Sequence, residues 1–358
     1  MKSQPVSAVS GTRLTMPVGL IPGEGIGPEL IGICRRLLER MAECRGWELE
    51  FSECGPVGLQ AREALGADLP SGAEDFVADV FARGGAVLAG AGGGRFVFEL
   101  RRRFQLDWKL NPVRRLRGAG SHPHPFDILI VRDNKEGLYQ GEVVTEEQAE
   151  GAVVRHTLTT RLATVRALVG RAARLAAARS GRLAVVAKES GIPGPSRLWR
   201  QAGEEAAAAH GVELRVLEVD FAAYQIVRRP EEFDVIAVPN AFGDILADLG
   251  GLLMGSRGAT FGASFNPEGL GVFQTNHGAA YDLAGTGTAN PAGQMLATAL
   301  MLREAFGQEE AAAAIETAVQ NAWCAGFRTA DMDPSAAHPC ATEAFAAAVE
   351  ERLDRALA

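Results

Sequence analysis

Five short runs of apolar, largely β-branched residues punctuate the chain: VGLIP at 18–22, AVLAG at 86–90, DILIVR at 127–132, LAVVA at 183–187 and DVIAVP at 234–239. A strand with one wet face alternates apolar and polar side chains. These runs do not, which predicts strands covered on both faces. Between them lie helical patterns such as TTRLATVRALVGRAARLAAARSGR at 159–182 and SRLWRQAGEEAAAAHGVE at 196–213. The second places Gly211 after His210, where a helix commonly exits through a left-handed residue. The segment ATEAFAAAVEERLDRALA at 341–358 reads as a further amphipathic helix. Strands and helices in alternation mean an α/β fold with an at least partly parallel sheet.

A chain of 358 residues suggests two domains, although no linker, repeat or composition shift marks a border. With 36 Lys+Arg against 44 Asp+Glu the net charge is −8, which argues against nucleic-acid partners. No apolar run is long enough for a membrane span, so no membrane role is expected. The five cysteines are dispersed without CxxC spacing, which excludes a disulfide scaffold or zinc ribbon as the organising principle. The first 16 residues read as a loose extension without the apolar core of a secretory signal, and a cytoplasmic enzyme is the default expectation.

After the first strand comes Gly23-Glu24-Gly25-Ile26-Gly27-Pro28-Glu29. It imitates a dinucleotide fingerprint, but Pro28 stands where close helix–strand packing needs glycine. Proline is comfortable in a helix's first turn, so the motif reads as a tight strand-to-helix turn, with or without a ligand. Asp244 and Asp248 are four apart in a helical pattern. That spacing puts both carboxylates on one face, where they repel unless a cation joins them. Hard oxygen donors suit Mg2+ or Mn2+; a helix cap and a solvated surface charge is the alternative.

The stretch Phe233–Asp248 (FDVIAVPNAFGDILAD) resembles the metal-binding segment of the isocitrate/3-isopropylmalate dehydrogenases, the NAD(P)-dependent β-decarboxylating dehydrogenases. GEGIGPEL at 23–30, RDNKEGLYQGE at 132–142 and HGAAYDLAGTGTANP at 277–291 are similar to the same family, and SRLWR at 196–200 to its isopropylmalate branch. The resemblance spans about Val18 to Asp331. It implies a two-domain α/β fold that is not Rossmann, with the active site in the interdomain cleft. A terminal domain (1–112 and 252–358) would carry most of the NAD site. A central domain (113–251) would carry the metal ligands and the interface of a homodimer with shared active sites.

The family reaction oxidises a 2-hydroxy acid by hydride transfer, then loses CO2, and the enol left behind is protonated. The resemblance makes Lys188 the base and Tyr139 the acid, with a neighbouring cation and partial burial expected to lower the lysine's pKa. Asp220, from the partner subunit, would join Asp244 and Asp248 on Mg2+ or Mn2+. Arg101 and Arg132 match arginines that hold the carboxylates of a hydroxy di- or tricarboxylate substrate. His277, Gly278, Asp282 and Asn290 fall in the cofactor loop. Asp282 matches an aspartate that favours NAD over NADP, because a carboxylate there repels a 2′-phosphate.

The chain also departs from the pattern. Asn111 stands where a third family arginine precedes proline, leaving Lys109 or Arg103 to compensate. Glu189-Ser190-Gly191 replaces the usual residues after Lys188. The short loop GAGGGRFVFEL at 90–100 carries Arg95, poised either for an anionic substrate side group or for solvent. Tyr281 replaces a usual proline and Gln274 a glutamate, changes expected to loosen the cofactor loop. These features point to a substituted malate from a specialised pathway. The alternatives are 3-isopropylmalate, homoisocitrate or tartrate/D-malate oxidation and, in another class, a non-catalytic regulatory subunit.

Overall fold

A computed structural model describes residues 14–120, 122–333 and 338–357. The chain forms two compact units. One holds the chain up to Leu106, Leu116–Ser121 and everything from Met254; the other holds Asp107–Arg115 and His122–Leu253.

The first unit opens with β1 (Thr15–Ile21), α1 (Gly27–Arg45), β2 (Glu48–Glu53), α2 (Gly58–Leu65), α3 (Ser71–Ala82), β3 (Ala86–Ala89) and α4 (Phe96–Arg103). The second unit follows with β4 (Trp108–Arg114), β5 (Asp127–Asp133), the hairpin β6 (Glu142–Gln148) and β7 (Gly151–Thr157), α5 (Leu162–Ala177), β8 (Arg182–Ala187), α6 (Pro193–His210), β9 (Glu213–Glu218), α7 (Val219–Arg228), β10 (Val235–Val238) and α8 (Asn240–Met254). The chain then returns to the first unit through β11 (Phe261–Phe265), β12 (Gly271–Thr275), α9 (Ala292–Glu304), α10 (Glu309–Cys324) and α11 (Thr342–Leu357).

Strands of the first unit run in the order β2-β1-β3-β12-β11, parallel except that β11 lies antiparallel to β12. Those of the second run β4-β5-β10-β8-β9, parallel except for β4 against β5. The five continuous apolar runs are β1, β3, β5, β8 and β10, and β3 and β10 are buried at every residue. Helix α9 explains their cover in the first unit. It is buried around its whole circumference from Ala292 to Leu302, as a helix without a polar face must be. Gly211 caps α6 at φ 65°, as its sequence predicts.

Two local expectations change. Thr15 and Met16 belong to β1 rather than to an extension, because Thr15 pairs with Glu48 and Met16 with Leu49; residues 1–13 lie outside the described ones. The segment at 90–100 is loop only to Gly94, after which α4 begins and buries Phe96 and Leu100. Among the described residues no helix is long and apolar enough to cross a membrane.

Candidate active site

In the second unit, β10 turns directly into α8. Gly243 lets the helix start close against β5, since a Cβ there would come within 2.8 Å of Arg132 Cγ and Val238 Cγ1. Asp244 and Asp248 follow one turn apart; the first is half exposed and the second exposed. Arg132, on β5 and only 1% exposed, turns its guanidinium onto Asp244, and its Nη2 donates to Asn240 Oδ1 at 2.9 Å. Burial alone pulls this guanidinium's pKa down, while the Asp244 carboxylate works to keep it charged. Tyr139 stands in a 3-10 turn (Leu138–Gln140), hydrogen-bonded to Asp244, with Arg132 5.6 Å from its ring centroid. Burial and then the Asp244 charge raise its pKa, so the phenol keeps its proton.

Lys188, at the end of β8, belongs to a second cluster. Its Nζ donates to Asp220 Oδ1 at 2.9 Å and pairs with Glu218 Oε2 at 3.0 Å. Hydrogen bonds to Asp220 and Glu218 raise the lysine's pKa, because its neighbours within the chain are anions. Glu218 is itself held down to about 2, first by the Ser190 hydroxyl and then by Lys188. The unusual segment after Lys188 is thereby anchored, with Ser190 on Glu218 at 2.6 Å and Glu189 on Arg200. Among the described residues no group of three His, Cys, Asp or Glu is arranged to hold a metal. Asp220 therefore does not join Asp244 and Asp248 within one chain.

The antiparallel register of β4 and β5 sets Lys109 opposite Arg132 and Asn111 opposite Ile130. Opposite residues share a sheet face, as do residues two apart along a strand. Lys109, Asn111 and Arg132 thus rise from one face, all nearly buried. Arg103 points elsewhere, onto Glu74 at 2.5 Å in solvent. In the first unit, Arg101 on α4 is buried and lies 5.5 Å from the Phe98 ring centroid. Arg95 is exposed, stacks on the same ring at 5.3 Å, and anchors its backbone N–H on Asp68.

The loop after β12 carries the remaining candidates. His277 Nδ1 meets Gly278 O at 3.0 Å, while Nε2 is shielded from solvent and has no hydrogen-bond partner. Burial pulls the imidazole's pKa down, which favours the neutral ring. A Cβ on Gly278, Gly285 or Gly287 would meet nothing within 4 Å, so this loop borders open space. Asp282 is exposed. Asn290 is occupied structurally: Oδ1 accepts from Ala292 N at 3.0 Å at the head of α9, and Nδ2 donates to Asp331 at 3.0 Å.

Comparison with known proteins identifies the family. The family model described as isocitrate/isopropylmalate dehydrogenase matches residues 17–349. The 3-isopropylmalate dehydrogenase of Shouchella clausii is 37% identical over 358 residues, covering 93% of this chain and 96% of that protein. The enzyme of the same name from Bacillus subtilis is 34% identical over 342 residues, covering 88% of this chain and 91% of its own. The crystal structure of isocitrate dehydrogenase from Methylococcus capsulatus superposes with a TM-score of 0.85 at 29% identity, covering 94% of this chain and 99% of that one. The fold is that of a decarboxylating dehydrogenase. The chain belongs to the isocitrate/isopropylmalate dehydrogenase family.

Two participants were not singled out from sequence. Glu218 lies two residues before Asp220, and Asn240 opens α8 after Pro239. Each is a polar residue where a strand gives way to a helix, a signal too common to be distinctive without the fold.

Proposed function

We propose that this chain oxidises and decarboxylates a substituted malate with NAD and Mg2+ or Mn2+, as a homodimer with shared sites. The observation that carries the reading is the meeting of a protonated tyrosine, a buried arginine and a half-exposed aspartate: Tyr139, Arg132 and Asp244. Asp244 and Asp248 fit a divalent ion in donor chemistry and spacing, and lack a third carboxylate. Asp220, carried by a second copy, would supply it. A bound metal would acidify the substrate hydroxyl and stabilise the enolate.

Arg132, with Arg101, would hold substrate carboxylates. Lys109 would add the cation that Asn111 lacks. Lys188 would take the hydroxyl proton as hydride leaves for NAD, and drawing Asp220 away would remove the leading cause of the lysine's raised pKa. Once CO2 has left, Tyr139 would return a proton to the enol carbon. The cofactor fits the loop after β12, where an orphaned His277 Nε2 and glycines bordering open space receive the adenosine end. Asp282 would accept from the ribose and favour NAD over NADP.

Dimerisation is supported by exposed apolar side chains on two helices of the second unit: Phe221, Tyr224 and Val227 on α7, and Ile245 and Leu252 on α8. Phe221 and Ile245 adjoin Asp220 and Asp244 in sequence, so covering these residues would bring carboxylates of two copies together.

Two side groups compete for the substrate. Exposed Arg95 favours an anionic one. An apolar cleft lined by Leu138, Ile192, Trp199 and Phe242 favours the isopropyl group of 3-isopropylmalate. NADH formation with NAD+ and Mn2+ decides, across isopropylmalate, isocitrate, homoisocitrate, tartrate, D-malate and a phosphonomethyl malate. Turnover of one of them supports the reading. Silence with intact NAD+ and Mn2+ binding would favour a regulatory subunit, and silence without binding would reject the site.

A further inference from the structure

The turn at 23–27 encloses a carboxylate that the chemistry above does not use. Glu24 is 1% exposed and accepts hydrogen bonds from the backbone N–H groups of Leu59 (3.1 Å), Gln60 (2.6 Å) and Gly93 (2.8 Å). The fourth donor is the Tyr281 hydroxyl, at 3.0 Å. This tyrosine comes from the loop after β12, more than 250 residues away in sequence, and its side chain is otherwise half in solvent. Two further observations show that the loop is built around the contact. Ala280, just before it, has φ 43°, a left-handed conformation that is unfavourable for a residue with a Cβ. A Cβ on Gly93 would lie 2.2 Å from the Tyr281 hydroxyl, so only glycine leaves room for it. A second tie is Ile26 N–H donating to Ala279 O at 2.9 Å.

We propose that Tyr281 is a positioning residue whose hydroxyl clasps the buried Glu24 carboxylate, pinning loop 277–287 in the shape that receives the adenosine end of NAD. The assignment of this loop to NAD rests on the function proposed above. The replacement at 281 thus tightens the loop that it was expected to loosen. Burial opposes ionisation of Glu24, but its four donors outweigh that and hold its pKa below the usual carboxylate value. Burial and the nearby Glu24 charge raise that of Tyr281, so donor and acceptor keep their roles at neutral pH.

The test uses the full-length protein, its Tyr281→Phe and Gly93→Ala variants, and hydrogen–deuterium exchange without cofactor. In Tyr281→Phe the amides of 279–287 should exchange faster, while those of Leu59, Gln60 and Gly93, still bound to Glu24, keep their protection. Gly93→Ala should accelerate the same loop by displacing the hydroxyl. KM for NAD+ should rise about tenfold in Tyr281→Phe with kcat little changed, the scale of one charge-assisted hydrogen bond. Unchanged exchange would overturn the clasp. Faster exchange with unchanged KM would overturn its role toward the cofactor. Failure of the wild-type protein to bind NAD+ would instead reject the functional reading, while exchange still decides whether the clasp exists.

Discussion

The two units treat a buried carboxylate in opposite ways. In the first, Glu24 has four hydrogen-bond donors and is held ionised below its ordinary pKa. In the second, Asp133 is also shielded from solvent but is enclosed more deeply in protein, and it receives the N–H groups of Lys135 (2.8 Å) and Glu136 (3.3 Å). Burial, with Glu136 and Asp107 nearby, pushes it up to about 7. The same contrast runs through the candidate sites. The first unit's glycine turn is closed on itself by backbone donors and one tyrosine. The second leaves carboxylates on exposed helix faces beside bare apolar side chains, with Lys188 and Asp220 bound to each other. A turn whose carboxylate is satisfied within its own unit can be rigid alone; carboxylates and apolar residues turned outward are completed by something else. We read that completion as metal and a second copy of the chain.

The largest effect should come from breaking the second unit's carboxylates. Asp244→Asn is expected to lower kcat by at least about a hundredfold and abolish any Mn2+-dependent rise in melting temperature. Asp220→Asn should be equally dead, yet the two inactive variants mixed through unfolding and refolding should regain activity. In random dimers about a quarter of sites would carry neither substitution. No recovery would mean that the sites are not shared. Nearly as large is Phe221→Asp, which should leave a folded monomer by sedimentation and remove most activity. An unchanged dimer would place the interface elsewhere.

Lys109 sharpens the comparison at a subtler level. Lys109→Ala should raise KM for the substrate by about ten- to a hundredfold, corresponding to ~1.5–3 kcal/mol for a charge-assisted contact. Lys109→Arg should retain most of the affinity. Equal KM in wild type and Lys109→Ala would show that this cation serves packing alone.

Much of this architecture was legible in the sequence, for a physical reason. Strands covered on both faces cannot tolerate polar residues, so β1, β3, β5, β8 and β10 announce themselves as unbroken apolar runs. Strands such as β2, ELEFSE, are half exposed and alternate within charged surroundings, and they escaped notice. The spacing of Asp244 and Asp248 shows one helix face because four residues make about one turn. The ion partners of Lys188 were not legible because Glu218 and Asp220 lie thirty or more residues away and are brought close by the parallel pairing of β8 and β9. The same limit hid Tyr281, whose partner lies at the opposite end of the chain. That Lys109 shares a face with Asn111 and Arg132 was likewise a matter of strand register, which β4 does not display without β5.

The smallest expected effect separates the two buried carboxylates directly. Asp133 binds its proton more tightly folded than unfolded, so its contribution to stability is lost as pH rises from near 4 through about 7. Asp133→Asn, whose Oδ1 can still accept both backbone N–H groups, should therefore raise the melting temperature at pH 8 by roughly 2–4 °C. It should change little at pH 4.5, where the native carboxyl is already neutral. Glu24 has the opposite sign: its folded pKa is depressed, so its contribution is present above the unfolded value and is lost as pH falls through the folded one. Glu24→Gln should accordingly destabilise at pH 7 and converge on wild type in acid. Thermal melts of both variants at pH 4.5 and pH 8 make the check, and parallel pH profiles would mean that depth of enclosure and donor count do not distinguish the two carboxylates.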